Sequence, residues 1–79
     1  MDNFKLRPLH IIAAEIKSDW KKIYFGAIPY IDAMQQLTSV DDAYGYDNGR
    51  HIVNYFLGNA GQWKGETARK IKAELKSML

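Results

Sequence analysis

The stretch Pro8-Leu9-His10-Ile11-Ile12-Ala13-Ala14-Glu15-Ile16-Lys17-Ser18-Asp19-Trp20-Lys21-Lys22-Ile23 decides the fold. Leu9, Ile12, Ala13, Ile16, Trp20 and Ile23 fall in one stripe at about 3.6 residues per turn, the spacing of an amphipathic helix. His10, Lys17 and Lys21 flank the stripe on one side, Glu15 and Lys22 on the other. Pro8 suits a first helical turn, where its missing N–H has no partner to lose. Gly26 then fits the left-handed cap that ends such a helix.

Working outward, the same period recurs. A second helix is predicted from Ala27 or Pro29 to Leu37, with Tyr30, Ala33, Met34 and Leu37 on one face and Asp32, Gln35 and Gln36 opposite. Residues 38–46 read as a connection. Asp47 is placed to cap a third helix over Asn48–Leu57, its carboxylate accepting from free first-turn N–H groups. Ile52, Val53, Tyr55, Phe56 and Leu57 surround most of that helix, the pattern of a central, buried one. Gly58–Gly61 reads as a turn. The last helix starts at Gly65 or Glu66 and runs to Met78, burying Ala68, Ile71, Leu75, Met78 and Leu79, with Glu66 four residues before Lys70 in the favourable order. No strand-length stretch alternates with period two. The expectation is all-α, a compact bundle of about four helices in a single domain over 1–79, with 1–7 a partly ordered arm.

Composition narrows the function classes. Seventy-nine residues leave room for one small domain. The absence of cysteine excludes a disulfide scaffold and a Cys-based zinc or iron–sulfur site. Ten aromatics (three Phe, two Trp, five Tyr) are too much apolar material for a solvated coil. No apolar run approaches the roughly 20 residues of a membrane span, and the opening residues lack the pattern of a signal peptide. A cytoplasmic protein without membrane contact is therefore expected.

Charge is unevenly spread. Residues 1–22 carry five basic and three acidic side chains, residues 23–49 none basic and four acidic, and residues 50–79 six basic and two acidic. The net +2 is the sum of +2, −4 and +4 along the chain, and such asymmetry bears on partners more than the total does.

Catalytic signatures are missing. The two histidines, His10 and His51, stand in no His-Glu-x-x-His motif, and no serine sits in a Gly-x-Ser-x-Gly elbow. Asp41, Asp42, Asp47 and Asn48 gather oxygen donors but do not match the spacing of a calcium loop, so capping and turn roles account for them better. A non-enzyme without a cofactor or metal is expected.

Two surfaces are candidates for binding. Tyr44 and Tyr46 flank Gly45 beside Asp41 and Asp42, and tyrosines in a segment without Lys or Arg have the composition of a protein-binding surface. Trp20, Tyr30, Phe56 and Trp63 are expected to be mostly core. On the last helix Arg69, Lys72 and Lys76 share a stripe about 60° wide, with Lys64 just ahead, a face that suits nucleic-acid phosphates as well as plain solvation. Ile11, on the outward side of the first helix, is an apolar residue that a homodimer would cover. A monomer or weak homodimer is expected.

Two stretches carry a resemblance: Tyr24-Phe25-Gly26-Ala27-Ile28-Pro29-Tyr30-Ile31-Asp32-Ala33-Met34, and Tyr55-Phe56-Leu57-Gly58-Asn59-Ala60-Gly61-Gln62-Trp63-Lys64-Gly65-Glu66-Thr67-Ala68-Arg69-Lys70-Ile71-Lys72-Ala73-Glu74-Leu75. The chain resembles a family of short proteins, with no established function, encoded in prophages and other mobile elements of Gram-positive bacteria. The resemblance spans about residues 9–79 and is most specific at Trp63–Arg69. It implies a genomic setting in which small helical proteins bind a host or element protein. The leading expectation is accordingly a non-enzymatic protein-binding or inhibitor module, with nucleic-acid binding by the basic C-terminal helix as the alternative.

Overall fold

A computed structural model describes residues 7–79. Helix α1 covers Leu9–Asp19, a 3-10 turn Phe25–Ala27 leads into α2 (Ile28–Met34), strands β1 (Ala43–Tyr44) and β2 (Asp47–Asn48) form a hairpin, and α3 (Gly49–Gly58) and α4 (Glu66–Ser77) follow. The architecture is mainly helical. It departs from an all-α bundle at the hairpin, where Ala43 pairs with Asn48 and Tyr44 with Asp47 in antiparallel register. Gly45 makes this possible: its φ of +63° supplies the positive dihedral that tight two-residue hairpin turns demand.

The predicted stripes form one core. Leu9, Ile12, Ala13 and Ile16 of α1, Ile31, Ala33 and Met34 of α2, Ile52, Val53 and Phe56 of α3, and Ala68, Ile71 and Leu75 of α4 are all buried. Leu37, Val40, Ala60, Trp63 and Met78 close it from the connections and the end of α4, and Trp20 joins it. No polar or charged residue is buried among those described. Ile11 lies outward, as its phase predicts.

Three helix ends differ from expectation. Helix α1 stops before Trp20, whose backbone turns extended (ψ 97°) while its N–H still bonds Ile16. That turn sets the indole parallel to Trp63, ring centroids 5.7 Å apart, with Phe56 edge-on to both. Gly26, expected as the cap, lies in the 3-10 turn instead. Helix α2 is regular only to Met34, but i→i+3 bonds from Gln36 to Ala33 and from Leu37 to Met34 carry the coil on, so Leu37 is buried as its position in the stripe predicts. The cap of α3 is Asn48, which accepts from the His51 N–H at 3.0 Å; Asp47 lies one residue further out, with its carboxylate 3.6 Å from the His51 imidazole.

Helix α3 is not buried all round. Ile52, Val53 and Phe56 face the core, whereas Arg50, His51, Asn54 and Tyr55 are exposed. Its start is stitched to the preceding loop by bonds from Gly49 N–H to Asp42 and from Arg50 N–H to Val40. Pro8 offers no side-chain cap to α1, and the carbonyls of Thr38 and Leu37 instead accept from the N–H groups of Leu9 and His10 at 2.9 Å. At the start of α4, Gly65 takes φ +112° and the expected Glu66–Lys70 pair forms at 3.5 Å.

Of the expected N-terminal arm, residues 1–6 lie outside the described residues. Arg7, the last residue of that stretch, is anchored to the helices. Its guanidinium forks onto Glu74 at 2.7 and 2.9 Å and reaches Glu15 at 2.9 Å, contacts that raise its pKa further and tie the chain to α1 and α4. Among the described residues no helix is long and apolar enough to cross a membrane.

Candidate functional site

The hairpin carries the first candidate surface. Tyr46, at its tip, is fully exposed, and Tyr44 is partly so. The two aspartates behind them have structural duties. Asp42 is half-buried, and its carboxylate accepts from the N–H groups of Ser39 and Thr38 at 3.0 and 2.9 Å, bonds that lower its pKa from the usual carboxylate value. Asp42 is thus committed to holding the 38–42 turn. Asp41 is exposed and bonds Arg50 at 3.2 Å. Arg50 in turn donates to the carbonyls of Met78 and Leu79 at 3.0 and 3.3 Å, linking the hairpin approach to the end of α4.

Beyond the hairpin, the exposed aromatics continue in a line that sequence reading did not join. Asp47, His51, Tyr55 and Asn59 recur every four residues: His51 and Tyr55 share one face of α3, Asp47 precedes them in β2 and Asn59 is the residue that ends the helix. The Asp47 carboxylate lies 3.6 Å from the His51 imidazole, the His51 and Tyr55 rings are 6.3 Å apart, and the Asn59 amide donates to the Tyr55 carbonyl. Tyr30 of α2 leans on Tyr55 with centroids 5.5 Å apart. At the far end a side chain added at Gly26 would strike Asn59 and Tyr24, so the Phe25–Gly26 turn abuts the end of α3. Phe25 is 76% exposed, Tyr55 45% and Ile28 41%. Exposed rings thus stand at the hairpin tip (Tyr46), on α3 (Tyr55) and in the 3-10 turn that abuts the end of α3 (Phe25). The signal available in the sequence was the four-residue spacing itself, masked by the apolar look of Tyr55–Leu57.

Three of the basic candidates lie on α4 and Lys64 lies just ahead of it. Lys64 is exposed just ahead of α4, at the edge of an open groove shared with the chain after α1. Lys72 is half-buried. Its Nζ donates to the Trp63 carbonyl at 2.7 Å and lies 6.0 Å from the centre of the Trp63 ring, so its first role is to pin the α3–α4 connection. Burial, with the nearby charges of Lys64 and then Lys76, lowers the Lys72 pKa. Lys76 and Arg69 are exposed on the same side of α4.

The Trp63–Arg69 motif is structural at its first residue. Trp63 is buried, stacked on Trp20, and its Nε1–H donates to Asp19 at 2.9 Å. No protein-family model, curated protein or solved structure matches the chain.

Proposed function

We propose that the chain is a small non-enzymatic protein-binding module that docks a host or mobile-element protein through its line of exposed aromatics. The single observation that carries this reading is the exposure of three large rings, Tyr46 at the hairpin tip, Tyr55 on α3 and Phe25 in the turn that abuts the end of α3. Large rigid rings supply contact area at low entropic cost, and tyrosine is enriched where binding energy concentrates. Residues 23–49, which furnish most of the surface, hold four aspartates and no Lys or Arg, so the fitting partner presents a basic, apolar-flanked patch. Tyr44, Tyr46 and Asp41 remain contact residues in this reading. Asp42 acts behind them as the residue that shapes the turn.

The mobile-element setting and a cytoplasmic location belong to the same proposal. The first rests on the resemblance of Trp63–Arg69 and its surroundings to short prophage proteins, the second on a sequence without cysteine. The test is affinity for a partner isolated by tagged pull-down from nuclease-treated host lysate, then measured with purified components. Tyr46→Ala with Tyr55→Ala should weaken that partner at least about tenfold, the loss expected from truncating one hot-spot aromatic. Equal affinity for wild type and double variant would overturn the reading.

A further inference from the structure

An open groove of about 500 Å³ lies between the chain following α1 and the connection leading into α4. Lys21 and Lys22 line one wall, Lys64 the other, and the edges of Trp20 and Trp63 form its floor. Asp19 is its one acidic lining residue, and that carboxylate already accepts the Trp63 indole N–H. Lys72, whose Nζ reaches the Trp63 carbonyl at 2.7 Å, brings a further positive charge beside Lys64, and Lys76 follows one turn on along α4. Among the described residues, Lys21, Lys22, Lys64, Arg69, Lys72 and Lys76 form no ion pair with a carboxylate, whereas Lys17 and Lys70 pair with Asp32 and Glu66.

We propose that this lysine-lined groove, continued by Lys76 and Arg69 along α4, binds the phosphate backbone of double-stranded nucleic acid without regard to base sequence. Lysines are compact point charges that meet phosphates but carry no base code. The two indoles cannot act as a stacking platform for single strands, because they are buried and face each other at an interplanar angle of 13°. An anionic membrane is the poorer fit. A surface that lies in a bilayer interface sets exposed apolar residues beside its lysines, and here the exposed rings Phe25, Tyr46 and Tyr55 sit on the aromatic line instead. The groove shares no residue with that line, so the two sites stand or fall separately.

The test is fluorescence anisotropy with a labelled duplex of arbitrary sequence, over about 50–200 mM salt, using the full chain. If four phosphates are neutralised, affinity should fall about 150-fold across that range. Lys21→Gln/Lys22→Gln should flatten the slope of log affinity against log salt by about 1.8. The control is Lys17→Gln/Lys70→Gln, which removes the same charge outside the groove and should change the slope little. Circular dichroism confirms that each variant is folded, and Lys64→Gln/Lys76→Gln repeats the measurement from the other wall. No duplex binding at the lowest salt would overturn the proposal. So would equal losses in the groove and control variants, tighter binding of a single strand of the same length, or capture by phosphatidylserine vesicles but not by duplex.

Discussion

The indole Nε1–H of Trp63 donates to the Asp19 carboxylate at 2.9 Å, joining the last residue of α1 to the connection before α4. Trp63 is 2% exposed with Asp19 in place, and both residues line the open groove, so in Asp19→Ala water can take the place of the carboxylate. Asp19→Ala should therefore cost about 1.5 kcal/mol, the worth of one hydrogen bond to a charged acceptor. Urea denaturation measures it. In a Trp63→Phe background the same substitution should cost much less, and the difference between the two isolates the bond.

Gly49 and Gly58 mark the two ends of α3 and should respond oppositely to alanine. A Cβ at Gly49 would lie 2.6 Å from the Val40 Cα and 2.7 Å from the Ser39 carbonyl oxygen, both backbone atoms that cannot swing aside. Gly49→Ala should lose about 1–3 kcal/mol by overpacking. At Gly58 the added methyl meets nothing within 4 Å, so Gly58→Ala should gain about 0.5–1 kcal/mol from the stiffer unfolded chain. Thermal melts of the pair decide it.

Asp42 gives the 38–42 turn a dependence on acid. Its folded-state pKa is depressed by the two backbone N–H donors, so its contribution is complete above the ordinary value of 3.8 and fades as pH falls through the lower folded value. Wild type should be more stable than Asp42→Ala at neutral pH, and the gap should close as the pH falls to about 2. Asp42→Asn, which keeps an acceptor but takes up no proton, should lack this pH dependence. Chemical denaturation at a series of pH values provides the readout.

Arg50 should matter more to the end of α4 than to its own helix. It reaches Asp41 and the carbonyls of Met78 and Leu79, and its side chain is 45% exposed, so solvent screening limits the loss on Arg50→Ala to about 1 kcal/mol. Arg50→Lys should recover only part of it, since an ammonium cannot fork onto three acceptors. Hydrogen exchange should show faster opening in the last turn of α4 in both variants, with α1 unchanged.

The helix faces are legible because Leu9–Ile16, Ile52–Phe56 and Ala68–Leu75 each repeat near 3.6, and burial follows that phase except at Tyr55 and Leu79, which are exposed, and at Ile23, Tyr30 and Leu57, which are partly buried. The hairpin was not, since strands of two residues are too short to alternate, and Gly45-Tyr46 is not the Asn-Gly pair that announces such turns. The end of α1 is not legible, because Trp20 fits the helical stripe by position while its backbone turns extended and its indole stacks on Trp63, far along the chain. Both candidate surfaces were half-read for the same reason. Tyr44 and Tyr46 were found in one loop, but their continuation to Tyr55 and Phe25, like the meeting of Lys21 and Lys22 with Lys64, exists only after the helices have packed.

Trp20 and Trp63 are the two tryptophans of the sequence, and they stack on one another at the floor of the lysine groove. The protein therefore carries its own optical probe at the spot where a polyanion would settle. Indole emission and the near-ultraviolet dichroism of the coupled rings report on that one place, with no label attached. A ligand seated between Lys21 and Lys64 changes the polarity beside both rings, whereas a partner held at Tyr46 leaves them in the dark.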